Sequence, residues 1–143
     1  MQTPRIPITS ADLDWAMQAH KQFPKVTSYG FSLPRNYSDA WADGLDPGHL
    51  QEIAAARAFL RALAPTAPHR NLHGSYSLKH LAESWAGCYI REGAVILAAL
   101  ALGLAVKPYD HPGHGGYVGV TRSSVKKLLA TAMNGEPPQD GAA

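Results

Sequence analysis

Seven histidines give this chain most of its chemical potential, and four of them fall at spacings that suit a shared ligand. His69 precedes His73 by four positions and His111 precedes His114 by three, and imidazoles so placed can hold one zinc ion. Neither pair lies in an H-E-x-x-H element, and Cys88 is far from both in sequence, so neither a metal nor any other cofactor is expected. His80 and Glu83 stand one helical turn apart and could work as acid and base. A solvated helix face is the favoured account of that pair. Cys88, followed by Tyr89 and Ile90, reads as a small buried hydrophobe rather than a reactive thiol. The glycine-rich segment 113–119 lacks the Lys-Ser/Thr of a phosphate loop, no G-x-S-x-G turn occurs, and no spacing singles out a triad. No catalytic residue is assigned, and the balance leans away from an enzyme.

A second chemistry is suggested by aromatics set among cations. Residues 24–45 carry Lys25, Tyr29, Phe31, Arg35, Tyr37 and Trp41, and no acid interrupts residues 21–38. Such a mixture can bind single-stranded nucleic acid by stacking and phosphate contact. Three cations (Lys21, Lys25, Arg35) are few for an electrostatic groove, so the favoured account is a loop held to the core by its rings.

Positioning these groups falls to a chain of 143 residues, 45% hydrophobic and 17% charged, which suits one globular domain over residues 1–135 with a flexible tail at 136–143. The net charge is +2 and the pI near 8.8, which permits an acidic partner without arguing for nucleic acid. A single cysteine allows no intrachain disulfide. The first residues show no leader pattern, and the uncharged run 93–106 falls short of the roughly 20 residues a membrane span needs. A cytoplasmic protein without a membrane partner is expected.

The elements can be placed from caps and periodicity. Thr9 or Ser10 caps a helix over 11–22, with Leu13, Ala16, Met17 and Phe23 on its inner face. Residues 24–45 are predicted to be irregular. Asp46-Pro47 opens a helix to about residue 63 with Leu50, Ile53, Ala56, Leu60 and Leu63 inward. Ser75 or Ser77 caps a third helix, burying Leu78, Leu81, Ala82 and Trp85, with Lys79 and Glu83 paired outside and Gly87 at its end. The apolar run predicts a helix over 92–102 closed by Gly103, and a hairpin follows from 104–109 and 117–121. Thr121 or Ser123 caps a last helix through Met133, stopped by Asn134-Gly135, with Val125, Leu128, Leu129 and Met133 inward. The expected fold is mainly α, a compact bundle of about five helices with one short β-hairpin in a winged-helix-like order. His111 and His114 then fall in the wing, with Arg122, Lys126 and Lys127 just beyond it. The helix in the reading position has the interior AVILAALAL and cannot address base edges.

The string Ser75-Tyr76-Ser77-Leu78-Lys79-His80, then Glu83, Tyr89-Ile90, Gly93-Ala94-Val95-Ile96-Leu97-Ala98-Ala99-Leu100 and Gly103, resembles a group of small uncharacterised proteins of proteobacterial plasmids, integrative elements and prophages. Their pattern has Ser-Asn where this chain has Arg91-Glu92. The resemblance implies a mobile-element setting and no particular activity. Setting and chemistry together suggest a small non-enzymatic interaction protein that binds and inhibits a host defence complex, such as a CRISPR effector. The alternative is a nucleic-acid-binding accessory or regulatory protein with a winged-helix-like fold. The partner is then a host or element protein complex, or DNA or RNA, and a homodimer is a further option. Candidate binding residues are Tyr76, Lys79, His80, Glu83 and Arg91, the basic edge Arg122, Lys126 and Lys127, and Lys25, Tyr29, Arg35 and Tyr37 of the loop. Glu92 joins the first group on the polar edge of the apolar block, and convergence of His73, His80 and Glu83 is left open.

Overall fold

Two capping boxes set where the chain turns helical. The structure, a computed structural model, describes residues 3–67, 73–110 and 113–133. Helix α1 (Ser10–Gln22) opens at Thr9, whose Oγ1 accepts the Asp12 amide at 3.2 Å while the Asp12 carboxylate accepts the Thr9 amide at 2.8 Å. Helix α2 (Pro47–Arg61) opens at Asp46, with His49 as the reciprocal partner and Pro47 at the first position, where a missing amide costs nothing. Ala16 and Ala19 bury the inner face of α1, and Leu13 and Phe23 pack at its margin. Met17, expected on that face, is 42% exposed.

Strand β1 (His73–Gly74) leads into helix α3 (Ser75–Ala86). The N-cap of α3 is Gly74, and no side chain caps it, contrary to the expected Ser75 or Ser77 cap. Ser75 is fully buried instead, with its hydroxyl turned toward the core. A hydroxyl offered a buried carboxylate gains more there than at a solvated helix end. Gly87 closes α3 in left-handed backbone, as expected. Arg5 returns over the same end: its amide donates to the Ala86 carbonyl at 2.7 Å and its guanidinium to the carbonyls of Ser84 and Trp85.

Helix α4 (Glu92–Ala101) is the centre of the core. Residues 92–99 are all buried, and α4 packs chiefly on α2, whose Ile53, Ala56, Phe59 and Leu60 belong to the same core, and also on α3 and α1. Its lack of an apolar stripe follows, since a helix covered on every side has no polar face to show. Strands β2 (Val106–Pro108) and β3 (Gly116–Val118) form the expected hairpin, shorter than its sequence pattern. β1 adds a third antiparallel strand that sequence reading did not find, giving the order β1-β3-β2 with His73 and Val106 both opposite Val118. Helix α5 (Arg122–Met133) is capped by Thr121, whose Oγ1 accepts the Ser124 amide at 3.2 Å. Val125 is buried and Leu128 and Leu129 partly so. The Met133 side chain, the Asn134-Gly135 stop and the tail 136–143 lie outside the described residues, as do His69 and His111.

The mainly α class and, apart from β1, the order of elements thus match the sequence reading. The helix in the reading position is sealed, so α4 offers no face to a DNA groove. Among the described residues no helix is long and apolar enough to cross a membrane.

Candidate functional site

The stretch between α1 and α2 is irregular, as predicted, but tightly held. Asp39 Oδ1 accepts the amides of Ser28 at 2.9 Å and Trp41 at 3.0 Å, and Ser28 Oγ accepts the Ala40 amide at 3.1 Å. Burial pushes the Asp39 carboxyl up, but these amides, the Ser28 hydroxyl and the nearby His20 together carry it below the ordinary 3.8. Val26 and Trp41 anchor the loop in the core. The amide of Gly93, in the first turn of α4, donates to the Ser28 carbonyl at 3.1 Å, and the Phe31 amide donates to the His114 carbonyl at 2.7 Å. Loop, helix end and wing therefore meet backbone to backbone.

Two glycines permit that approach. A Cβ on Gly93 would run into the Thr27 carbonyl and lie 2.6 Å from the Ser28 carbonyl carbon. A Cβ on Gly115 would collide with the Glu92 carboxylate and lie 2.7 Å from Ser75 Oγ.

Beside this junction lies a cleft of about 380 Å³. The loop supplies Ser28, Tyr29, Ser38 and Ala40, α3 supplies Tyr76, Lys79 and His80, and the link to α4 supplies Tyr89 and Arg91, with Glu92 and His114 completing it. Glu92 is buried, not on an outer edge as the sequence suggested. Its Oε2 accepts the Ser75 hydroxyl at 2.6 Å, that hydroxyl accepts the Gly116 amide at 3.0 Å, and its Oε1 lies 3.3 Å from His114 Nε2. The positive end of α4 and these partners make a buried carboxylate tolerable. The His114 ring meets Tyr29 edge-on, centroids 5.5 Å apart, and Tyr29 meets Tyr37 at 5.6 Å.

On the opposite chain segment, Glu83 organises a second set. Its Oε1 lies 3.1 Å from Lys79 Nζ and 3.2 Å from His80 Nδ1, and its Oε2 accepts the Ile90 amide at 3.2 Å. The Lys79–Glu83 pair forms as predicted, although the Lys79 side chain is only 11% exposed. Lys79 and Arg91 both sit over the Tyr89 ring, at 4.9 and 5.3 Å from its centroid. The Arg91 guanidinium and amide bind the Glu52 carboxylate, whose proton affinity burial raises against the opposing pull of Arg91. His80 stacks edge-on against Tyr76 at 4.6 Å.

Of the residues singled out from sequence, Tyr29, Tyr76, Lys79, His80, Arg91, Glu92 and His114 line this one cleft. Glu83 stands behind it and Tyr37 against Tyr29. Lys25 and Arg35 are exposed elsewhere on the loop, and Arg122, Lys126 and Lys127 on α5, none of them in the lining. His73 does not join His80 and Glu83: it pairs with Val118 in the sheet, where burial and the nearby Arg122 disfavour its protonation. Cys88 is buried, and burial followed by the charges of Glu52 and Glu83 lifts its thiol to about 11. Among the described residues no group of three or more His, Cys, Asp or Glu side chains comes together to hold a metal ion.

Sequence reasoning missed Glu52 and Ser75 as site residues, and it placed Glu92 on an outer edge and His114 in a wing rather than together. Glu52 had a signal, since Glu52, Ala56 and Leu60 recur every four residues on the buried stripe. The others are brought together only by the tertiary fold. No family model, curated protein or solved structure matches this chain.

Proposed function

We propose that this is a nucleic-acid-binding accessory protein that takes an unstacked nucleotide of a single strand into the cleft. The observation that carries the proposal is the convergence of three tyrosines, Lys79, Arg91 and two histidines on one concavity of about 380 Å³. Such a volume falls in the roughly 300–1,000 Å³ range of ligand pockets, whereas a protein partner usually covers a broader patch of about 800 Å². Aromatic faces accept any base once it is unstacked, at about 1–3 kcal/mol per base. Lys79 and Arg91 are each held by a carboxylate, yet an ammonium carries three donors and a guanidinium five, so donors remain for a phosphate. A mobile-element setting, expected from the pattern of residues 75–103, suits such a role.

Fluorescence anisotropy with matched single-stranded and duplex oligonucleotides tests this. Single strands should bind better, and Tyr76→Ala or Tyr89→Ala should each weaken binding about 5- to 150-fold. Loss of binding in Lys126→Glu/Lys127→Glu with no effect of the tyrosines would move the site to α5 and overturn the proposal.

The rim favours a second reading. Tyr37, Tyr76 and Tyr89 are 61, 59 and 51% exposed, and tyrosine is enriched in the hot spots of protein interfaces. On that reading the chain is a small non-enzymatic interaction protein of a mobile genetic element that inhibits a host defence complex such as a CRISPR effector. Capture of a stoichiometric host complex, lost in Tyr76→Ala/Tyr89→Ala, supports it. Capture of none counts against it.

A further inference from the structure

The two histidines lining the cleft come from different elements, and each has one ring nitrogen within ion-pair distance of a carboxylate. His114 Nε2 lies 3.3 Å from Glu92 Oε1, and His80 Nδ1 lies 3.2 Å from Glu83 Oε1. The other nitrogen of each ring takes no part in these two contacts. An imidazole beside a carboxylate is a pairing that general acid–base catalysis uses. Two such imidazoles beside Lys79 and Arg91 provide a base, an acid and cationic charge in one cleft.

Neither serine of the lining is hydrogen-bonded to His80 or His114 among the described residues, and the Ser28 hydroxyl is engaged by the Ala40 amide and Asp39. Ser75 and Cys88, the nearby hydroxyl and thiol, lie outside the lining, both buried, with the Ser75 hydroxyl committed to Glu92. A substrate suited to this site therefore brings its own nucleophile next to the bond that breaks. RNA does so: its 2′-hydroxyl adjoins the phosphodiester, and an internal nucleophile is worth far more than a water molecule that must be caught. Resting on the nucleotide-binding reading above, we infer that the cleft is a ribonuclease site that cleaves single-stranded RNA by transesterification.

His114, oriented by the more deeply buried carboxylate, takes the proton from the 2′-hydroxyl as that oxygen bonds to phosphorus. The bond from phosphorus to the 5′-oxygen breaks, and His80, the more exposed imidazole, gives that oxygen its proton. The products are a 2′,3′-cyclic phosphate and a 5′-hydroxyl, and nothing is oxidised or reduced. Lys79 and Arg91 bear on the added negative charge of the five-coordinate phosphorus. Glu92 and Glu83 are positioning residues.

The test uses the full chain with one fluorescent sequence made as RNA, as DNA and as 2′-O-methyl RNA. RNA should be cut to fragments ending in 2′,3′-cyclic phosphate, while DNA and 2′-O-methyl RNA bind and stay whole. His114→Ala and His80→Ala should each slow cleavage about 100-fold or more while still binding the 2′-O-methyl strand. Added imidazole should restore part of the activity of His114→Ala, which a merely structural role would not allow. If that variant fails to fold, His114→Gln replaces it, and the 2′-O-methyl control on the unaltered protein stands regardless. Binding without cleavage overturns the ribonuclease inference and leaves the binding proposal in place. Absence of all binding overturns both. Cleavage that persists in both histidine variants, or that leaves a 3′-hydroxyl, also overturns it.

Discussion

Ser75 shows how much a single side chain's role depends on where the chain folds back. By position it looked like a helix cap; it proves to be the hydroxyl between the Gly116 amide and the Glu92 carboxylate. Removing a buried partner leaves the other groups unsatisfied, at about 1–3 kcal/mol. Ser75→Ala should therefore lower unfolding free energy in a denaturant titration by that amount, while Ser77→Ala, at an exposed position, should stay within about 0.5 kcal/mol. Cys88 gives a chemical counterpart. Its thiol is lifted from 9.0 to about 11, so near neutral pH about 100-fold less thiolate is present than for an ordinary cysteine. A thiol reagent should label native protein slowly and denatured protein at the normal rate; equal rates would contradict the burial. The apolar neighbours of Cys88 announced its burial. The role of Ser75 was not legible, because its two partners lie 17 and 41 positions away.

At the scale of elements, local rules sufficed wherever local rules decide. Caps at Thr9 and Asp46, the αL glycine after α3 and the length of the apolar run put all five helices close to their observed bounds. β1 escaped because two residues carry no alternation to detect. Helix propensity would also mislead at Gly93, where Ala in place of Gly ordinarily gains up to about 1 kcal/mol. Here an added methyl meets the Thr27 and Ser28 backbone, so Gly93→Ala should lower the melting temperature, and a higher one would refute the close approach. The loop before α2 carries its own acid sensitivity. Asp39 is held below 3.8, so its contribution to stability is complete above that value and lost as pH falls through the lowered one. Trp41 fluorescence should hold steady from neutral pH to about 4 and shift below, and Asp39→Asn should remove that step.

For the whole molecule, the cleft is assembled from four stretches of chain: 28–40, 76–80, 89–92 and 114. No periodicity within one stretch could reveal the other three, although seven of the residues that line it were already marked by type. The cleft and the α5 cations are distinct surfaces, and salt separates them. Two phosphate contacts, through Lys79 and Arg91, predict a slope of log affinity against log salt of about −1.4 on single strands. Recruitment of Arg122, Lys126 and Lys127 would steepen it. The same scale gives meaning to the seam where loop, α4 and wing touch backbone to backbone. The amides of Phe31 and Gly93 donate across that seam, and the neighbouring Gly116 amide donates to the Ser75 hydroxyl on α3. Opening any one of them to solvent requires parting the others. In deuterium these three amides should exchange together, at one rate, as a single cooperative unit. The aromatic loop, irregular as it is, would then owe its persistence to the most deeply buried helix in the protein.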